Sequence, residues 1–261
     1  AARPYLDRAG EKPHNGEYIF VEVETEAGLS GWGEITVSSP WANRAACAFL
    51  AQVGGLVAGE DPGRIEKIWH KVFREFTYLG MREVVPSVAS ALDIALWDIR
   101  GKTLGLPIYE LLGGAVRDSI ALYTHPNGGS EPESIAAACK AIVETRHKAL
   151  KTDPFPHHSE EKNGYLSGQM DAEGEELGIE IIAAIREAVG PDIEILIDCH
   201  GRFDVATAIR LAKRLEPLRI GWFKEPVPVE SYHALRQVRE NTNVPICVGE
   251  RLYTRYEFVP I

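Results

Sequence analysis

The sequence predicts an α/β protein with a (β/α)8-type barrel, incomplete in this chain, that follows an α+β capping domain. Two patterns favour this fold class. From about residue 116, five strand-like segments alternate with four helical segments at the spacing of βα units, which is typical of parallel strands. Before that point, an apparent hairpin precedes a group of helices, as in α+β domains. We therefore assign residues 1–115 to the capping domain and residues 116–261 to the partial barrel.

The capping domain begins with a predicted hairpin at residues 17–36. Ile19, Val21 and Val23 occupy alternate positions of its first strand, "EAGLSG" supplies the turn, and "GWGEI" starts the second strand. Helical patterns follow over residues 44–76, where "GEDPGR" separates two helices. An alanine-rich helix is then predicted for "SVASALDIALWDIR", which ends before a stretch rich in glycine and proline.

Five segments of the second half are predicted strands: "SIALYTH", "HKALKTDPF", "IEILIDCH", "IGWFKEPV" and "PICVGERL". Apolar runs such as "IEILI" are typical of parallel strands that are buried on both faces. A doubly wound open sheet also fits this rhythm, but the barrel is favoured because each segment ends in polar or charged residues, which would meet at one mouth. These are His125, Lys151, Asp153, Asp198, His200, Lys224, Glu225 and Glu250. Five strands cannot close an eight-stranded barrel, so we expect the remaining strands outside this sequence.

Composition and charge exclude several function classes. The 261 residues carry a formal net charge of −10, whereas a nucleic-acid-binding domain needs a basic face. No apolar run approaches the roughly 20 residues that span a bilayer. The four cysteines, Cys47, Cys139, Cys199 and Cys247, are scattered and form no CxxC pair. We expect a cytoplasmic protein with reduced cysteines that binds neither nucleic acid nor membrane.

Three acidic residues, Asp198, Glu225 and Glu250, end successive predicted strands and are 27 and 25 residues apart. Equivalent positions in successive βα units would place their carboxylates side by side on one rim. Like charges this close ionise together only with a cation among them, and oxygen ligands select a hard divalent ion. The pattern predicts an Mg²⁺ site. The alternative is that each acid caps or solvates the loop that follows its strand.

The stretches "GWGEI" and "ALDIALWDIRGKTLGLPIYELLGG", followed by the three acids in this order, resemble the enolase superfamily in its mandelate racemase branch. Within that branch, "IDCHGR", "FKEPVP" and "GERLYTRYEF" are similar to sugar-acid dehydratases of the galactonate dehydratase type. The resemblance extends over essentially the whole chain. It implies that Asp198, Glu225 and Glu250 bind Mg²⁺ and that His200 lies at the substrate.

The reaction that the resemblance implies is the dehydration of a sugar acid, an aldonate or an aldarate. A base removes the α-proton, the metal stabilises the enediolate, and an acid helps the β-hydroxyl leave as water, which yields a 2-keto-3-deoxy acid. His200 is the candidate acid, with an orienting role in its loop as the alternative. A racemase or cycloisomerase on the same scaffold, or a non-catalytic descendant, would share the fold.

Lys151 lies in "KTD", where the branch often has a Lys-x-Lys pair, and Asp153 replaces the second lysine. Lys151 is either a base of lowered pKa or, as we favour, an ammonium that binds the substrate carboxylate. Asp153 would contact substrate hydroxyls or pair with Lys151. His125, Arg202 and Arg251 are further candidates for substrate binding.

Other expectations concern segments outside these strand ends. The resemblance places another base, a histidine paired with an aspartate, beyond Ile261. Residues 2–18 are expected to include a loop that closes over the substrate. Residues 154–174 are expected to form a substrate-facing or oligomer-contact loop in which His157 and His158 are solvated. We also expect a homo-oligomer that acts on a small-molecule sugar acid.

Overall fold

The computed structural model describes residues 2–6, 18–36, 40–156 and 167–261. The chain divides into two compact units. The first contains Ala1–Asp118 together with Tyr253–Val259, and the second contains Ser119–Leu252 together with Pro260–Ile261. The segment Tyr253–Val259, which the sequence placed in the barrel domain, thus belongs to the first unit. The loop segment 7–17 and the histidines His157 and His158 lie outside the described residues.

The first unit contains a three-stranded antiparallel sheet in the order β1–β2–β3. The strands are β1 (Ala2–Leu6), β2 (Ile19–Glu24) and β3 (Ser30–Ile35). The predicted hairpin is confirmed as β2 and β3, which pair from Ile19 opposite Ile35 to Glu24 opposite Ser30. β1 was not predicted, because only its pairing with β2 distinguishes this short segment from the loop that we expected.

Four helices follow the sheet: α1 (Pro40–Val57), α2 (Ile65–Glu75), α3 (Val84–Leu104) and the short α4 (Ile108–Leu111). Of these, α1 and α3 pack on the sheet, whereas α2 and α4 pack on α3. Ile19, Val21 and Ile35 of the sheet form one buried cluster with residues of α1 and α3 such as Leu50 and Val88. α3 ends at Gly105, whose φ of 66° is the left-handed conformation that closes many helices. The predicted helix of "SVASALDIALWDIR" is therefore confirmed as the central helix of this unit.

The second unit alternates strands and helices. Its strands are β4 (Tyr123–Thr124), β5 (Ala149–Thr152), β6 (Glu194–Asp198), β7 (Trp222–Lys224) and β8 (Ile246–Cys247). Its helices are α5 (Pro132–Glu144), α6 (Ala172–Val189), α7 (Val205–Leu215) and α8 (Tyr232–Glu240). α9 (Arg255–Phe258) follows in the segment that joins the first unit.

The five strands are parallel and lie in chain order, β4–β5–β6–β7–β8. A doubly wound sheet reverses its strand order at a switch point, whereas a barrel adds each strand beside the preceding one. The sequential order therefore confirms the barrel-type prediction and excludes the doubly wound alternative for these strands. No helix in the described part of the chain is long and apolar enough to cross a membrane.

The two faces of the parallel sheet carry different residues because side chains alternate along each strand. Leu150, Ile195, Ile197 and Phe223 are fully buried in one cluster with the helices. Lys151, Leu196, Asp198, Trp222 and Lys224 occupy the intervening positions and therefore share the opposite face. The register thus brings two lysines and an aspartate to one end of the same face.

Candidate active site

The site lies at the carboxyl ends of β5 to β8. Lys151 is on β5, and Asp198 and Lys224 are the last residues of β6 and β7. Asp198 and Lys224 are direct partners in the parallel register. Glu250 follows β8 after Gly249, which has a φ of 145° that favours glycine. Each functional side chain is therefore positioned by the end of a strand, where a barrel places its chemistry.

Asp198 is the centre of the site. Its Oδ1 accepts a hydrogen bond from Lys224 Nζ at 2.8 Å, and its Oδ2 lies 2.7 Å from Lys151 Nζ. Burial raises the pKa of this carboxyl, but the hydrogen bonds from Lys151 and Lys224 outweigh burial and hold the pKa below its usual value. Asp198 is therefore a carboxylate that two ammonium groups neutralise.

Lys224 also contacts Glu250, whose Oε2 is 2.8 Å from Nζ. Burial lowers the pKa of this lysine, but the hydrogen bonds to Asp198 and Glu250 outweigh burial and raise the pKa above its ordinary value. Lys224 is thus an ammonium that bridges acids from the strands on either side of its own. We assigned it no role from the sequence. Side chains of a strand alternate between its two faces, so Trp222 and Lys224 share one face and Glu225 does not. This alternation would have indicated that Lys224, rather than Glu225, lies on the face that carries Asp198.

Glu225 is separated from this group. Its side chain is 0% exposed, and its Oε2 accepts hydrogen bonds from Arg251 Nε at 2.9 Å and Nη2 at 2.7 Å. Its backbone adopts a φ of 42°, which is rare for a residue with a side chain. The structure therefore pairs two residues for which the sequence predicted separate roles, Glu225 as a metal ligand and Arg251 as a substrate contact.

Asp198, His200 and Glu250 form a possible metal site, because each offers one ligand atom and these atoms lie within 4.8 Å of one another. The arrangement does not fit Mg²⁺. The Lys224 ammonium is already within 2.8 Å of both acids, and the third predicted ligand, Glu225, is bonded to Arg251. Mg²⁺ also prefers oxygen to imidazole nitrogen. Of the three predicted ligands, the structure brings Asp198 and Glu250 together and leaves Glu225 out.

His200 lies between two carboxylates at the surface of the site. Its Nε2 is 3.6 Å from Asp198 Oδ2, and its Nδ1 is 3.5 Å from Asp153 Oδ2. The side chain is 47% exposed, and its φ of 52° belongs to the left-handed region. Such backbone conformations occur where a turn must direct a side chain towards a site. The imidazole can therefore reach a ligand from its position between the two acids.

Arg202 lies inside the protein, and its residue exposure is only 5%. Its guanidinium forms an ion pair with Asp153 and donates to the backbone oxygens of Cys199 at 3.1 Å and Phe155 at 3.3 Å. Arg202 is thus one partner of Asp153, for which the sequence suggested contact with substrate hydroxyls or pairing with Lys151. Arg202 positions the acid that contacts His200, whereas the sequence had made it a substrate contact.

His125 follows β4 and is exposed. Burial is the main cause that lowers its pKa, and the charge of Lys151 contributes. The Tyr123 ring lies 6.2 Å from the His125 ring and 5.5 Å from Lys151 Nζ. The neutral imidazole of His125 is therefore favoured, and it borders the site on the β4 side.

The chain belongs to the mandelate racemase and muconate lactonizing enzyme family of the enolase superfamily. Residues 6–113 match the mandelate racemase/muconate lactonizing enzyme N-terminal domain, and residues 134–261 match the enolase C-terminal domain-like family. The capping domain and barrel-type domain described above are the two domains of this family.

Curated relatives are named as dehydratases. The D-galactonate dehydratases of Pectobacterium atrosepticum and Ralstonia pickettii are each 35% identical to this chain, over 241 and 243 residues. Each alignment covers 92% of this chain but 60% of the relative, so the chain spans about three fifths of the length of these proteins.

Solved structures of the same superfamily are similar in fold. A mandelate racemase/muconate lactonizing enzyme from Jannaschia sp. CCS1 superposes with a TM-score of 0.87 at 30% identity, covering 100% of this chain and 69% of that one. A member of the enolase superfamily from Salmonella Typhimurium gives a TM-score of 0.86 at 30% identity, covering 94% and 66%.

Proposed function

We propose that the protein binds a sugar acid, an aldonate or an aldarate, at the ends of these strands and removes water from it. The observation that carries the proposal is the convergence of Lys151, Lys224 and His200 on Asp198. Ammonium groups suit the carboxylate of such a substrate, and an exposed imidazole suits proton transfer to its hydroxyls. The names of the dehydratase relatives support the same reaction class.

Lys151 is assigned to substrate binding. Its Nζ lies 2.7 Å from Asp198 Oδ2 at the strand ends, where a lysine can hold a carboxylate of the substrate. The base that removes the α-proton is expected on a later strand, as the resemblance implies.

His200 is assigned to proton donation. In the elimination, the α C–H bond and the β C–O bond break, and the β-hydroxyl leaves as water with the proton that His200 gives up. The resulting enol tautomerises to a 2-keto-3-deoxy acid. Asp198 Oδ2 at 3.6 Å and Asp153 Oδ2 at 3.5 Å hold the imidazole in place for this step.

The dependence on Mg²⁺ that the resemblance implied is not part of this proposal, because Lys224 lies between the two acids that would be ligands. For Mg²⁺ to bind, Lys224 would have to leave Asp198 and Glu250, and Glu225 would have to release Arg251. The homo-oligomer stays a prediction, which light scattering of the purified protein would test.

The test is incubation of the complete natural protein with a panel of aldonates and aldarates. Proton NMR should detect a 2-keto-3-deoxy product from at least one of them. The His200→Asn variant should lose about 10²- to 10⁴-fold in kcat, the range of a general acid. The Lys151→Met variant should mainly raise KM, because it removes a contact to the bound carboxylate.

His233→Asn is the matched control, since His233 is an exposed histidine of α8. It should retain the wild-type rate. Absence of turnover with every aldonate and aldarate would refute the proposal. Exchange of the α-proton for deuterium without release of water would instead identify a racemase or cycloisomerase.

A further inference from the structure

We propose that the ammonium group of Lys224 is a built-in cation that takes the place of a divalent metal ion between Asp198 and Glu250. The site would then hold its acids together without Mg²⁺. This inference concerns the binding properties of the site and does not depend on which reaction the protein catalyses.

The position of Lys224 is the first argument. β7 lies between β6 and β8, and Lys224 is the register partner of Asp198 on one side and of Cys247 on the other. Its Nζ is 2.8 Å from Asp198 Oδ1 and 2.8 Å from Glu250 Oε2. A metal ion bound by these same oxygens at about 2.1 Å would lie in the space that the ammonium fills.

The charge balance is the second argument. Among the described side chains at these strand ends, each of four carboxylates is in contact with a lysine or an arginine. The pairs are Asp198 with Lys151 and Lys224, Glu250 with Lys224, Glu225 with Arg251, and Asp153 with Arg202. Four negative and four positive groups leave no net charge for a divalent ion to neutralise. An added Mg²⁺ would meet two nearby ammonium groups, which repel it.

The burial of Lys224 is the third argument. The residue is only 7% exposed, so its ammonium cannot move into water without a change in the surrounding side chains. A buried charge that loses its partners is strongly unfavourable. Displacement of Lys224 by a metal ion would therefore leave an unpaired ammonium inside the protein. The side of the site near His200 and Glu250 remains exposed to solvent.

The experiment uses Mn²⁺ as a paramagnetic probe for the Mg²⁺ site of the complete natural protein. Electron paramagnetic resonance measures free Mn²⁺, so bound metal is counted without reference to activity. The wild-type protein should have no tight Mn²⁺ site at Asp198, so Asp198→Asn should leave its Mn²⁺ binding unchanged. Lys224→Met removes the ammonium and leaves two acids and His200, so it should bind Mn²⁺ at least about tenfold more tightly than the wild type.

Two variants serve as controls. Lys224→Arg retains a positive charge and should bind Mn²⁺ as weakly as the wild type. Lys213→Met removes an exposed lysine of α7 and should have no effect, which separates the local ammonium from net charge. Adding Asp198→Asn to Lys224→Met should abolish the gained binding and so localise it.

One outcome overturns the inference on the wild-type protein alone. If the wild type binds one Mn²⁺ per chain, if Mg²⁺ competes for that ion, and if Asp198→Asn abolishes the binding, then Lys224 does not replace the metal. This measurement decides the question even if Lys224→Met fails to fold. Circular dichroism of each variant establishes whether it is folded. A failure to turn over sugar acids would leave these binding results unchanged, so the two proposals fail independently.

Discussion

Lys224 donates a hydrogen bond from Nζ to Oδ1 of Asp198 at 2.8 Å, and the two residues are direct partners in the parallel register of β7 and β6. This relationship determines which side chain of "FKEP" reaches the site. Because side chains alternate along a strand, the neighbouring Glu225 is directed elsewhere and pairs with Arg251. Because Lys224 and not the adjacent Glu225 is the register partner of Asp198, an ammonium lies beside Asp198 instead of a third carboxylate.

The ion pair between Arg202 and Asp153 should contribute strongly to stability. Arg202→Met leaves the Asp153 carboxylate without its arginine in a largely buried environment, which should reduce the free energy of unfolding by about 3–5 kcal/mol. Urea denaturation measures this change. The double variant with Asp153→Asn should lose less than the sum of the two single variants, since both remove the same interaction.

Arg236→Met provides the control for this ion pair. Arg236 bonds Glu240 one turn away on the exposed surface of α8, at 2.7 Å. Its loss should change the free energy of unfolding by about 0.5 kcal/mol or less. Equal small changes in Arg202→Met and Arg236→Met would contradict a stabilising role of the buried pair.

Gly33 should not tolerate a side chain. A Cβ atom added to it would lie 1.9 Å from the backbone oxygen of Ala91, because β3 packs directly against α3. Gly33→Ala should therefore destabilise the protein by about 1–3 kcal/mol, the usual range for overpacking. Differential scanning calorimetry would show a lower Tm.

Gly55→Ala is the opposite case. Gly55 lies within α1, and a Cβ atom there meets nothing within 4 Å. Alanine should stabilise the helix by about 0.5–1 kcal/mol relative to glycine. A similar fall in Tm for both glycine variants would show that the close approach of β3 to α3 is not the cause.

Glu60 should make stability depend on acidic pH. Hydrogen bonds from Lys67, at 2.7 Å, and Lys71, at 2.8 Å, lower the pKa of this glutamate from 4.5 to about 2. A carboxyl whose pKa is lower in the folded state stabilises the fold above its unfolded pKa. That contribution should be complete above pH 4.5 and should disappear as the pH falls through about 2.

Comparison with Glu60→Gln tests this expectation. The wild type should be more stable near neutral pH, and the difference should shrink between pH 4.5 and 2. Thermal unfolding across this range measures it. Glu75→Gln, at an exposed position of α2, should show no such convergence. A constant difference between wild type and Glu60→Gln at all pH values would argue against the role of the two lysines.

Asp93 should have the opposite pH dependence. Burial is the main cause that raises the pKa of this half-buried aspartate, and the nearby charge of Glu66 adds to it, although Arg255 opposes both. A raised pKa in the folded state means that stability is highest below the unfolded pKa and declines as the pH rises through the folded value. Asp93→Asn should therefore raise Tm at pH 7 by roughly 1–3 °C.

The gain from Asp93→Asn should vanish in acid, where both forms are neutral. Tm measured against pH for the wild type and the variant checks this. Asp192→Asn is the control, since Asp192 is exposed, and it should leave Tm nearly unchanged at both extremes. A Tm at pH 7 that is lower in Asp93→Asn than in the wild type would contradict the expected penalty of the buried charge.

Much of the fold followed from local patterns. The alternation in residues 19–24 predicted a strand, the apolar spacing of residues 87–100 predicted a helix, and the βα rhythm predicted parallel strands. These patterns are local because strand and helix periodicities are properties of a few successive residues. The site was harder to predict, since Lys224 and Glu225 are both polar residues at the end of one strand.

The sequence by itself determined the two kinds of domain, the family, and the strand ends where the polar residues collect. Only the tertiary structure decided that Lys224 meets Asp198, that Arg202 pairs with Asp153, and that Tyr253–Val259 joins the first unit. The physical reason is the separation along the chain over which each kind of interaction acts. Periodicity and turn chemistry act between near neighbours, whereas the partner of a buried charge is set by strand register and packing between residues that are distant in the chain.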